Sequence, residues 1–149
     1  MPDYSHARYG VTQRIRMPGD GGTSLLLSPA GTATAAGTTT NTIAGKNVGF
    51  GIPVKIKQIV YTIFSAQTGA GDNVTLQLFT GTGATAVGQL AITTQLASSV
   101  NTSSVLNVQI PANTPIRIDA VAVQTASGEK AAYGYLDVTY QEAFDNIDR

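Results

Sequence analysis

Between Val54 and Gln141 apolar side chains return at every second position, in short runs cut by clusters of Gly, Pro, Ser and Asn. A two-residue period puts successive side chains on opposite faces of an extended chain, so each run predicts a β-strand. In VKIKQIVYTIF (54–64), Val54 and Ile56 oppose Lys55 and Lys57, and the run ends apolar on both faces, as in a strand entering a sandwich interior. NVTLQLFT (73–80) sets Val74, Leu76 and Leu78 against Thr75, Gln77 and Phe79. QLAITTQL (89–96) is a weaker strand, and VLNVQI (105–110) gathers Leu106, Val108 and Ile110 on one side. IRIDAVAVQT (116–125) opens with Ile116 and Ile118 opposite Arg117 and Asp119. AAYGYLDVTYQ (131–141) turns Leu136, Val138 and Tyr140 inward and Tyr133, Tyr135, Asp137 and Thr139 outward. The segments 65–72, 81–88, 97–104, 111–115 and 126–130 are read as turns and breaks. No segment carries a helical period. Short strands with turn signals about every 8–12 residues predict an all-β sandwich or barrel, of which the expected form is an antiparallel β-sandwich of the jelly-roll kind.

The front of the chain lacks this rhythm. MPDYSHARYGVTQRIR (1–16) repeats at neither period, and residues 17–53 are broken throughout by Gly and Pro. Only TSLLLS (23–28) reads as a short buried strand. AGTATAAGTTTNT (30–42) is either linker or a flat strand against a neighbour, with too little apolar area to offset its own ordering. The expected organisation is an extended N-terminal arm and low-complexity linker (1–45), a β-sandwich domain (46–141) and an acidic C-terminal tail (142–149), EAFDNIDR, as a helical turn or a plain tail.

Composition narrows the function classes. At 149 residues the chain suits one domain with a core of its own. No residue is cysteine, which excludes disulfides and thiolate metal sites. Charged residues are 12% of the chain, with nine basic against nine acidic, about half the typical share. So little charge points either to a surface covered by copies or partners, or to a Thr-rich surface that is polar without charge. No run approaches the length of a membrane helix, and no secretory leader is expected at the N-terminus. The sequons at Asn73 and Asn101 are read as chance matches.

Catalytic chemistry is scarce. A Ser-His-acid triad or a histidine metal site would have to use His6, the one histidine, in the aperiodic leader. Asp119 and Asp137 fall on strands expected to be adjacent, where two carboxylates can flank a glycosidic bond; the simpler reading makes them solvated positions opposite Arg117 or a lysine. The Gly81, Gly83 and Gly88 segment lacks the Lys-Ser/Thr of a phosphate loop. With no basic face on a neutral chain, nucleic acid is not an expected partner, nor is a membrane. No enzyme, cofactor or metal is expected.

Recognition chemistry instead gathers at the front. Three of the five arginines and two of the six tyrosines lie in residues 1–16. An extended arm of this kind orders on a neighbouring chain and buries aromatic and arginine anchors there. Tyr4, Arg8, Tyr9, Arg14 and Arg16 are accordingly the expected partner-binding residues.

The stretch VKIKQIVYTIFSAQTGAGDNVTLQLFTGTG followed by VLNVQIPANTPIRIDAVAVQTASGEKAAYGYLDVTYQ resembles the small jelly-roll proteins of tailed-bacteriophage virions, which include capsid decoration (cement) proteins and related fibre domains. The likeness spans about residues 53–141 and rests on strand rhythm: a K-I-x-x-I opening strand, a Thr/Gly-rich hairpin, the P-A-N-T-P-I-R-I turn-strand and the closing GYLDVTYQ. The resemblance implies a homotrimer on the outer capsid surface, bound to the major capsid protein. Its alternative is a fibre-type receptor- or carbohydrate-binding module, with Tyr133 and Tyr135 stacking on sugar rings.

Overall fold

The computed structural model describes residues 12–17, 25–26, 37–46, 49–65, 73–93, 96–124 and 133–143. Ten strands follow in order: β1 (Gln13–Arg16), β2 (Leu25–Leu26), β3 (Gly37–Lys46), β4 (Val54–Ser65), β5 (Asn73–Thr80), β6 (Gly88–Ile92), β7 (Val100–Thr102), β8 (Val108–Ile110), β9 (Ile116–Gln124) and β10 (Tyr133–Glu142). No helix occurs among the described residues. The strands form two antiparallel sheets, a jelly-roll-like sandwich.

The first sheet is built on the long β4–β10 pair, in which Val54 faces Glu142 and Thr62 faces Tyr135. Each partner carries two short strands along its other edge: β1 and β2 on β10, and β8 and β7 on β4. The second sheet runs β3-β9-β5-β6. Alternation decides what meets between them. Ile59, Tyr61, Ile63, Leu136 and Val138 come from the first sheet, and Ile43, Leu76, Leu78, Ile118 and Ala120 from the second, all buried in one core. Each of the isoleucine, leucine and valine side chains among them is worth about 1.5–3 kcal/mol relative to exposure.

The apolar ending of 54–64 has a geometric cause. The β4–β10 register shifts between Thr139 and Tyr140, leaving Lys57 as the extra residue, so Ile56 and Ile59 both turn inward although three apart. Backbones also meet closely at two glycines. A Cβ on Gly134 would stand 1.9 Å from the Thr62 carbonyl oxygen. Gly49 has φ +69, and its Cβ would stand 2.4 Å from the Thr114 oxygen.

Several expectations are corrected. QRIR (13–16), read as part of a partner-seeking arm, is a strand of the first sheet, and Met17 behind it is fully buried, its N–H donating to Leu136 O at 2.9 Å. Within the Thr-rich stretch residues 37–42 belong to β3, paired with β9 from Gly37 to Lys46, so the division expected at 45/46 falls inside a strand. The break expected at 97–104 contains β7, while the strand expected at 105–110 is reduced to β8. Asp119 and Asp137 are neither adjacent nor solvated: they lie on different sheets and are both buried. The helical turn considered for the tail beyond Ala143 lies outside the described residues.

Candidate functional site

The outward face of the first sheet assembles the chemistry. Directly opposed residues on antiparallel strands share a face, so the register defines its rows. Val100, Thr62 and Tyr135 form one row across β7, β4 and β10. Thr102, Val60, Asp137 and Arg16 form the next, reaching β1. Gln58, Thr139 and Arg14 form a third.

Asp137 is the pin of this face. Its carboxylate is 2% exposed and accepts from Arg16 Nε at 3.0 Å, from Arg16 Nη2 at 3.2 Å and from Arg14 Nη2. Burial works to raise the Asp137 pKa, but the hydrogen bonds from Arg16 and Arg14 and their charges outweigh it and hold the carboxyl below its ordinary value. The same hydrogen bond raises Arg16 above the usual arginine value. β1 is fastened further along: Tyr140 Oη donates to Gln13 Oε1 at 3.0 Å, and Gln141 Nε2 donates to Thr12 Oγ1 at 3.1 Å.

Beside this cationic corner the face is apolar. The Arg16 guanidinium lies over the Tyr135 ring, 4.4 Å from its centroid. Tyr135 meets Phe64 edge-on with centroids 6.1 Å apart. Phe64 is 59% exposed and Tyr135 44%, and Val100 is as exposed as Phe64. The turn at Leu96–Ser99, with Leu96 also exposed, is tied to Ile63 by two backbone hydrogen bonds of 2.9 Å.

Of the five residues expected to bind a partner, Arg14 and Arg16 are thus brought together on Asp137, and Tyr4, Arg8 and Tyr9 lie outside the described residues. The expectation missed Phe64 and Val100. Phe64 had a signal, since it ends a run apolar on both faces; Val100 had none, standing alone among Ser and Asn. Tyr61, by contrast, points inward, and burial pushes its phenol above the ordinary range. The described residues hold no cluster of three or more metal-ligating side chains.

No family model and no curated protein sequence matches this chain. Solved structures do. A chain in the capsid of Ralstonia phage GP4 superposes with a TM-score of 0.53 at 17% identity, over 91% of this chain and 87% of that one. A chain in the structure of infectious bursal disease virus, Gx strain, gives a TM-score of 0.51 at 15% identity, over 91% of this chain; the match spans 34% of that longer chain. At these identities the likeness is one of fold, a β-sandwich used in viral particles.

Proposed function

We propose that this chain is a non-catalytic structural protein of a virion, one that decorates a phage capsid by binding the outer surface of its major capsid protein. The observation that carries the reading is the match in fold and in length to a chain of the Ralstonia phage GP4 capsid. The sequence resemblance to phage decoration proteins points the same way. Self-association as a trimer belongs to the proposal, supported by the scarcity of charge on the chain.

Attachment in this reading uses the front of the chain in two parts. Arg14 and Arg16, paired with Asp137, present half-exposed side chains from the first sheet. Tyr4, Arg8 and Tyr9 supply further contacts ahead of it. The fibre-type alternative gains less, because the Tyr135 ring that would stack on a sugar already has Arg16 over it.

The test is to purify the particles that carry the protein and count its copies. A decoration protein is present in large, symmetric number, and sedimentation of the isolated protein gives a trimer. A few copies per particle favours the fibre module. Removing residues 1–11 leaves β1 in place and weakens attachment. Removing 1–16 also strips β1 from Asp137 and lowers the stability of the free protein.

A further inference from the structure

We infer that the Arg16–Tyr135–Phe64 face docks an acidic, apolar protein segment of another kind of chain, whose carboxylates pair with Arg14 and Arg16 while its apolar side chains cover Phe64, Tyr135 and Val100. The inference rests on the proposed attachment for the identity of that chain, but its chemistry is read from the face alone.

Exposure comes first. Phe64, Val100 and Tyr135 are neighbours on one sheet face and all remain open. Isolated exposed apolar residues are ordinary, whereas a contiguous cluster beside polar residues marks an interaction site. Tyrosine and arginine are also the residue types that carry binding energy when a partner desolvates them.

Charge then selects the occupant. Arg14, Arg16 and Lys55 stand on this face, Lys55 by its alternation with buried Val54 and Ile56, and Asp137 is the carboxylate beneath the arginines. Among the described residues one carboxylate offsets one of these two guanidinium charges, which leaves the corner positive. Both arginine side chains keep more than half of their surface exposed, leaving donors for a second carboxylate. A two-fold contact of this face with itself would bring positive corner against positive corner, which disfavours a second copy presenting the same patch.

Geometry gives the occupant its form. The rows are about 7 Å apart along the strands and neighbouring strands about 4.8 Å apart across them. An extended segment that carries an acidic and an apolar side chain two residues apart, and so on the same face, can therefore touch the Arg corner and the aromatic row together.

The probe is a fluorescent synthetic peptide repeating Glu-Ser-Leu-Ser, which puts glutamate and leucine on one face when extended, titrated with the full chain. Binding is expected to weaken with added salt. The double variant Phe64→Ser/Tyr135→Ser is expected to lower affinity about tenfold or more, as loss of paired hot-spot residues does. Val87→Ser, at an exposed apolar residue just before β6, is expected to leave affinity unchanged. A lysine–leucine peptide is expected not to bind, and a glutamate–serine peptide to bind more weakly. Equal binding of the lysine peptide, no saturable binding of the glutamate–leucine peptide, or undiminished binding by the double variant overturns the inference. So does conversion of an oligomer to a monomer by the double variant, which would assign the face to a second copy. If the double variant loses the peptide yet joins particles at the wild-type level, the docking inference fails and decoration stands. If the wild type binds the peptide but is absent from particles, decoration fails and the acidic partner stands.

Discussion

On the first sheet the Asp137 carboxylate lies under two arginines from β1, and one of them stacks over Tyr135. On the second sheet Asp119 accepts from Arg117 Nε, two residues away on the same strand, at 3.0 and 3.2 Å and from Thr42 Oγ1 at 2.8 Å; Arg117 stacks over Phe79 at 4.4 Å. Acid, arginine and aromatic ring thus recur on both faces, with opposite results. Phe79 is 6% exposed beneath its arginine, while Tyr135 stays open and touches a more exposed Phe64. The difference lies in where the arginine comes from. Arg117 faces Phe79 directly across β9 and β5, so one side chain caps the ring and meets the acid on its own strand. Arg16 faces Asp137, and Tyr135 is only its diagonal neighbour. One face is closed by its own strands; the other fastens an edge strand and leaves aromatic surface over.

If that contrast is right, the aromatic rings separate most widely. Phe79→Ala should cost about 3 kcal/mol, the range for a buried phenylalanine. Tyr135→Ala should cost well under about 1 kcal/mol, as an exposed position does. Urea unfolding of the two variants checks this. Equal losses would mean that Tyr135 is as integral to the fold as Phe79, and the open face would not be a separate surface.

The arginines come next. Removing Arg14 and Arg16 together leaves a buried carboxylate unpaired and should cost about 2–4 kcal/mol. Either alone should cost about 1 kcal/mol or less, because Asp137 keeps the other. The shortfall of the single losses against the double is the coupling a double-mutant cycle reads. Arg117→Ala should fall between, at about 1–2 kcal/mol, since Asp119 retains Thr42.

How much of this was legible follows from how far each pattern reaches. NVTLQLFT (73–80) coincides with β5 because eight alternating residues outweigh any local ambiguity. β4 and β9 were likewise visible, and the jelly-roll-like sandwich followed from their rhythm. β1 was not. QRIR offers four residues, and what makes it a strand is Asp137, 121 residues after Arg16. Long-range pairing of this kind leaves no mark in a local window. β3 was half legible: threonine is β-branched and suits a pleated surface, but without bulky side chains its register with β9 could not be seen. At the site, Arg14 and Arg16 were singled out for partner binding, while the carboxylate they meet within the fold, Asp137, was one taken for a solvated position. Of the aromatic pair, Tyr135 was read as outward, while Phe64 went unread because an exposed Phe64 and a core Tyr61 look alike in a run apolar on both faces.

The smallest effect expected is the pH dependence of the fastening. Arg14 and Arg16 from β1 are the charged groups on Asp137, with Tyr135 the next titratable neighbour on the face. Because the Asp137 pKa is lower in the folded chain than in the unfolded one, the carboxylate favours folding at every pH above its unfolded value of about 3.9. That contribution fades as pH falls below this point and is gone once pH has dropped through the folded value. Wild-type stability should therefore decline on acidification below about pH 4. Asp137→Asn should be less stable at neutral pH and should lose less on acidification, so that the two curves converge. Parallel curves for wild type and Asp137→Asn, measured by urea unfolding between pH 7 and about pH 2.5, would show that Asp137 does not carry the linkage. The acid sensitivity would then have to come from carboxylates elsewhere, and the hold of the two arginines on β1 would not depend on the charge of Asp137.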